Sequence, residues 1–394
     1  MRFQIGDVNA VAGALFACHF FGFGLFLPFF PLVLEDRGLS LAEVGYVLGV
    51  ATAIRIAASP VMANLSDRSG RRRLSVFVYS LGGCLCLALF MVSSGFWSAV
   101  LAVSGLMVFW APIVPLSDAY ALEVVRRHGG DYGRMRLWGS VAFVVANLFG
   151  GWAALSGATE MLLAAITAST LATGLVAVLL PSMGSGRSEL TGPAISGVPV
   201  FREPWFWLFL LVAGLLQATH AAFYGFGTLY WTSIGQDTLS IGVYWSVGVA
   251  AEICLFLVAG RLGPWFSPTR LMALAAIAGI LRWALFPFAV TPPTIVGLQL
   301  LHGLSFGAAH LGAVAVLSQI IPARWGGTGQ GLLSTSSGLL MAAGLALCGP
   351  LYTADPAWAF WAMAVSSSCA AGMLLLIRPV LAARLLKSPL TASP

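Results

Sequence analysis

Charge is what this chain has least of. Only 9% of its 394 residues are charged and 59% are hydrophobic, against roughly 25% charged in a soluble domain. That imbalance excludes a soluble globular protein, because no core could hide so much apolar surface. The apolar stretches run to about 20 residues rather than alternating over ten, which excludes a membrane barrel in favour of helices. The six cysteines (Cys18, Cys84, Cys86, Cys254, Cys348, Cys369) all fall inside apolar runs, so no disulfide framework or metal spacing results. A Walker loop, a dinucleotide fingerprint and a His-Glu-x-x-His motif are all missing, so no enzyme, cofactor or metal centre is expected. The net charge of +6 does not signal nucleic acid, since the basic residues sit in short segments between apolar runs. The first run is too long for a cleaved signal peptide, and many more follow.

What is present is an all-α integral membrane pattern of twelve spans. They are read at about 9–34, 41–63, 73–94, 97–122, 135–156, 160–181, 204–232, 239–260, 270–290, 293–320, 328–352 and 356–379. The longest gap holds Gly184, Gly186, Gly192, Pro193, Gly197 and Pro199 and reads as a flexible linker. The expected organisation is a six-helix bundle over 1–182, a cytoplasmic linker over 183–203 and a second bundle over 204–394. With the N-terminus placed in the cytoplasm, seventeen of the twenty Lys and Arg residues fall in cytoplasmic segments. Arg37 alone falls outside, and Arg55 and Arg282 lie within spans. This positive-inside bias predicts a multi-pass protein of the cytoplasmic (inner) membrane with both termini cytoplasmic.

The two halves repeat. An offset of 197 (242 − 45) sets Gly45 against Gly242, Arg55 against Glu252 and Arg73 against Arg270. Gly22-Phe23-Gly24 of the first span is answered by Gly225-Phe226-Gly227 of the seventh. Two six-span halves in one orientation place the relating axis along the membrane normal.

A charge near the bilayer centre costs at least ~2.5–3.5 kcal/mol, so such residues face protein or water and mark function by default. Arg55 shares a helix face with Thr52 and Ser59; it reads as an anion-binding arginine or as half of a structural ion pair. Glu252, beside Trp245 and Gly248 on its face, is placed to take and release a proton. The alternative is a fixed salt bridge to Arg55 or Arg282. Asp118, late in the fourth span, is either a proton-coupling acid or a partner for Arg134 or Arg136. Gln217, His220 and Tyr224 form a polar stripe on the seventh span. Gln299, His302 and His310 lie on the tenth, and His19 lies in the first. The polar knot Asp67-Arg68-Ser69-Gly70-Arg71-Arg72-Arg73 closes the second span.

That knot, with Ala63-Asn64-Leu65-Ser66 before it, resembles the signature between the second and third spans of the major facilitator superfamily. The resemblance covers nearly the whole chain. It implies a conformational loop carried by Asp67, Arg68, Gly70 and Arg71, which does not bind substrate. Further stretches are similar to the 3-phenylpropionate permease group of proton symporters. They are Phe29-Phe30-Pro31-Leu32, Pro115-Leu116-Ser117-Asp118-Ala119, Asp131 to Ser140, His220 to Phe226, Val249-Ala250-Ala251-Glu252, Arg282-Trp283 and His302 through Leu311. There is a weaker likeness to permeases of the lactose type in Glu252, Arg282 and His302. Ser305 stands where that type has a further acid.

The resemblance implies alternating access by a proton symporter importing a small aromatic carboxylate such as 3-phenylpropionate. Arg55 and Arg282 are then candidates for the carboxylate, with Phe23, Tyr224, Trp245 and His220 around the solute. Glu252, Asp118, His302 and His310 are candidates for the proton. The expected partners are a small solute, protons and the bilayer, with the chain acting as a monomer. A nucleoside or sugar carrier of the same fold is the alternative, and a non-transporting membrane sensor is a third reading.

Overall fold

The computed structural model describes residues 5–157, 159–181, 199–262, 266–322 and 325–386. Residues 183–198 of the expected linker, Pro264 and Trp265 lie outside them.

Twelve helices are long and apolar enough to cross a membrane: Val8–Asp36, Leu41–Ser69, Arg72–Val92, Phe96–Arg127, Tyr132–Leu155, Thr159–Leu179, Pro204–Ser233, Thr238–Ala259, Pro268–Phe288, Pro292–Ile320, Gly326–Ala354 and Pro356–Leu385. They match the twelve expected spans in order, and no strand occurs among the described residues. The ends differ where polar residues extend a helix past its apolar part. The second span continues to Ser69, so Asp67 and Arg68 lie in its last turn rather than in a loop. It stops only at Gly70, which takes a left-handed φ of 66° that other residues resist. The same span starts on a capping box in which Ser40 and Glu43 satisfy one another's backbone amides.

The chain forms two compact units: Met1–Ser188 with Gly225–Ser246, and Glu189–Tyr224 with Val247–Pro394. In the first, the opening span packs on the fifth and sixth, and the third on the fourth and sixth. The hydroxyl of Thr238 donates to the carbonyl of Gly151 at 2.7 Å, tying the start of the eighth span to the end of the fifth. In the second unit, Phe206, Phe209, Met272, Val316, Leu333, Leu374 and Leu381 share one apolar core. Large apolar side chains such as Leu85, Leu101, Leu257 and Leu376 stay exposed along the spans, as a surface solvated by lipid requires.

Two spans depart from α-helical regularity within the second unit, where polar residues gather. The seventh is interrupted between Pro204–Ala218 and Ala221–Ser233, at Thr219 and His220. The tenth changes from α-helix at Pro292–His302 to a π-helical segment at Gly303–Ala308 and back. Irregular backbone at membrane depth is tolerated only where protein or water satisfies it, and π segments concentrate at functional sites.

Candidate functional site: a buried arginine hub

Arg282 is the hub of the second unit. The ninth span carries it into full burial, and there it meets neutral acceptors rather than an acid. Its Nη1 donates to His302 Nδ1 at 2.9 Å and to Ser305 Oγ at 3.3 Å, and its Nη2 donates to Gln299 Oε1 at 2.6 Å. The guanidinium also lies over the rings of Trp283 (4.4 Å) and Phe223 (4.9 Å), a favourable arrangement for a cation removed from water. Its Nε is buried without a hydrogen-bond partner among the described residues.

These contacts assign the histidine tautomers. A guanidinium can only donate, so His302 Nδ1 accepts and its proton sits on Nε2. That N–H faces Glu252 Oε2 at 3.8 Å. Glu252, His302 and Arg282 therefore form a string in which a neutral imidazole stands between the acid and the cation. On the other side, His220 Nδ1 lies 3.1 Å from the Gln217 carbonyl, which can only accept. Its Nε2 then accepts from the Ser305 hydroxyl at 3.2 Å. Ser305 thus relays between Arg282 and His220.

The backbone explains how His302 reaches Glu252. Gly303 opens the π segment against the eighth span, where a Cβ would come within 2.6 Å of the Ala251 carbonyl oxygen and 3.2 Å of the Glu252 amide nitrogen. Glycine is what allows this approach. Gln217 meets the widened turn from the seventh span, its Nε2 3.5 Å from the Phe306 carbonyl. Tyr224 lies within electrostatic range of both Glu252 and Arg282, and its ring packs 5.8 Å from that of His220. His310 is exposed and touches Phe256, away from the hub contacts.

The first unit arranges its candidates differently. Arg55 is exposed and has no hydrogen-bond or ion-pair partner among the described residues. Asp118 accepts from the Tyr132 hydroxyl at 2.9 Å. Of the partners expected for it, Arg134 pairs instead with Asp131 at 3.7 Å. Arg136 lies over the rings of Phe20 (4.0 Å) and Phe16 (5.5 Å). Tyr132, missed as the partner of Asp118, carried one signal: it stands one helical turn before Arg136, and its ring meets Phe16 edge-on. Phe23 is half-buried beside Phe20 and Phe143. Trp245 is buried and donates to Thr228 Oγ1 at 3.0 Å. In the knot, Arg72 pairs with Asp67 at 2.9 Å, while Arg68 and Arg71 are exposed.

The structure thus joins Arg282, His302, Glu252, His220 and Tyr224 in one neighbourhood of the second unit. No group of three or more potential metal ligands occurs among the described residues.

Comparison with known proteins agrees with this architecture. The chain is 31% identical over 361 residues to a probable 3-phenylpropionic acid transporter of Escherichia coli (strain K12), covering 88% of this chain and 92% of that one. It is 27% identical to a maltose permease of Geobacillus stearothermophilus over 80% of each chain. The fold matches the crystal structure of the nucleoside transporter NupG with a TM-score of 0.83 at 14% identity, covering 97% of this chain and 99% of that one. The model of the MFS_1 like family matches residues 12–362, and the chain belongs to that family of major facilitator transporters.

Proposed function

We propose that this transporter couples a proton to the uptake of a small aromatic carboxylate across the cytoplasmic membrane by alternating access. The observation that carries the reading is the string from Glu252 through His302 to Arg282. An acid that faces a histidine at 3.8 Å, with a buried cation one hydrogen bond further on, is a charge pair bridged by a proton-bearing ring. A proton arriving on Glu252 removes the negative end of that string. The positive charge on Arg282 is then less compensated, which shifts the balance between the transporter's alternating conformations. Release of the proton restores the string and reverses that shift.

The solute's carboxylate is assigned to Arg55. Its guanidinium is accessible and unengaged, so both of its parallel donors remain for a bidentate contact. Three of the N–H groups of Arg282 are already committed to His302, Ser305 and Gln299, which makes it a support for the proton site. The solute's ring is assigned to the aromatic wall that includes Phe23. The relative whose name gives 3-phenylpropionic acid supports this substrate class.

Uptake into energised membrane vesicles at several pH values tests the proposal. Glu252→Gln is expected to abolish accumulation against a gradient while leaving solute exchange at equilibrium. Full accumulation by that variant would end the proton role. A second reading, a neutral cargo, is favoured by the maltose permease relative. Competition separates the two: aromatic acids block uptake under the first reading, and sugars or nucleosides under the second.

A further inference from the structure

A cavity of about 330 Å³ opens beside the polar knot, within the first unit. It is lined by Gly70, Arg71, Arg72, Arg73 and Leu74 from the start of the third span, with Tyr120, Glu123, Val178 and Pro181 opposite. Its volume is at the lower bound of small-molecule sites. The transport reading uses none of these residues for cargo.

The charges do not cancel. Arg72 is paired with Asp67 at 2.9 Å. The carboxylate of Glu123 is held by Arg126 and Arg127. Arg73 spends one N–H on a neutral acceptor, the Leu180 carbonyl, at 2.9 Å, and so keeps its charge. Arg71 is exposed, and its guanidinium has no partner among the described residues. Two cations are therefore uncompensated at the cavity wall. The third span also begins here, and Arg71 at its cap position provides no side-chain acceptor. The first-turn amides of a helix lack acceptors of their own, and its dipole favours an anion at this end.

The rim adds a second character. Leu74 and Val178 line the cavity and remain 43% and 45% exposed. A polar, cationic floor beside an apolar rim at the end of a membrane span fits an amphiphile with an anionic head. We propose that this cavity binds a phosphate-bearing anion, the phosphodiester headgroup of an anionic phospholipid, through Arg71, Arg73 and the start of the third span. A free phosphate ion shares the recognition chemistry but makes no use of the rim.

Native mass spectrometry of the delipidated full-length protein tests this, with phosphatidylglycerol, phosphatidylcholine of the same chains, or inorganic phosphate added separately. The expected result is retention of phosphatidylglycerol over phosphatidylcholine. Affinity should fall about fivefold in Arg71→Gln, in line with the contribution of one basic residue near a membrane surface, and further in Arg71→Gln/Arg73→Gln. Arg71 is exposed and unpaired, so its single variant leaves the fold intact, and Arg71→Lys should retain most binding. Arg134→Gln, an exposed arginine outside the cavity lining, should change nothing. Retention of phosphate without phosphatidylglycerol would assign the site to a soluble anion. Binding of neither, or phosphatidylglycerol binding indifferent to both arginine variants, would overturn the proposal.

Discussion

Arg55 and Arg282 look alike in the sequence: each is a single arginine inside an apolar span. Their surroundings are opposite. Arg282 is wholly buried, engaged by three neutral acceptors and covered by two aromatic rings. Arg55 is exposed and unengaged. An arginine most of whose donors are held by its own unit organises its neighbours; one whose donors are free can meet something from outside. Burial and partners separate the two roles, and residue type does not.

The hardest test of that contrast is Arg282→Ala. It strips His302, Ser305 and Gln299 of the donor they share and removes the positive end of the string that begins at Glu252. Loss of one member of a buried charged network costs about 3–5 kcal/mol, so a large fall in the thermal midpoint is expected. Arg55→Ala should move that midpoint little while raising the KM for an aromatic acid severalfold. If Arg55→Ala unfolds the protein and Arg282→Ala does not, the roles are reversed.

A smaller effect is expected from Gly303→Ala. The new methyl group would press on the Ala251 carbonyl at 2.6 Å and force the tenth span from the eighth. Such overpacking costs about 1–3 kcal/mol. Proton-driven accumulation should fall more than equilibrium exchange, because His302 moves away from Glu252. Equal loss of both would show that the approach of the two spans serves folding alone.

The smallest effect concerns Asp237, an acid outside the spans that contrasts with Glu252 inside one. It accepts from the Ser240 amide at 2.9 Å and the Ser240 hydroxyl at 2.6 Å. The hydroxyl bond, then the backbone bond, holds its carboxyl below the usual aspartate range. A group held low stabilises fully above its unfolded pKa, about 3.9 for Asp, and loses that contribution as pH falls through the lower folded value. Asp237→Ala should cost about 0.5 kcal/mol at neutral pH, the low end for a helix cap. The gap in thermal midpoint between it and the parent chain should close in acid.

The twelve helices were legible because a membrane span is a property of one continuous run of residues. So was the polar inventory, since a charge stands out in an apolar helix. The connections were not. A salt bridge between Glu252 and Arg282 was one reading of the sequence. In the structure His302 stands between them, because Gly303 lets a π turn lie against the eighth span. Asp118 was set against Arg134 or Arg136; Arg136 lies within its electrostatic range, but the hydrogen bond comes from Tyr132, and Arg134 pairs with Asp131. His302 and His310 were both read as candidates for the proton, but His302 is buried in the hub and His310 is exposed. Each of these depends on which helix lies next to which face, and spacing along one chain does not record that.

The π-helical segment Gly303–Ala308 also has a consequence in time. Its hydrogen bonds run from residue i to i+5 rather than i+4, a rare pattern that interrupts the regular ladder of the span. At least one carbonyl there, that of Phe306, faces the side chain of Gln217. Amide hydrogens should therefore exchange with heavy water sooner at 303–308 than in the regular helix on either side, and sooner still in Gln217→Ala. Span ten would then open from its middle rather than fray from its ends.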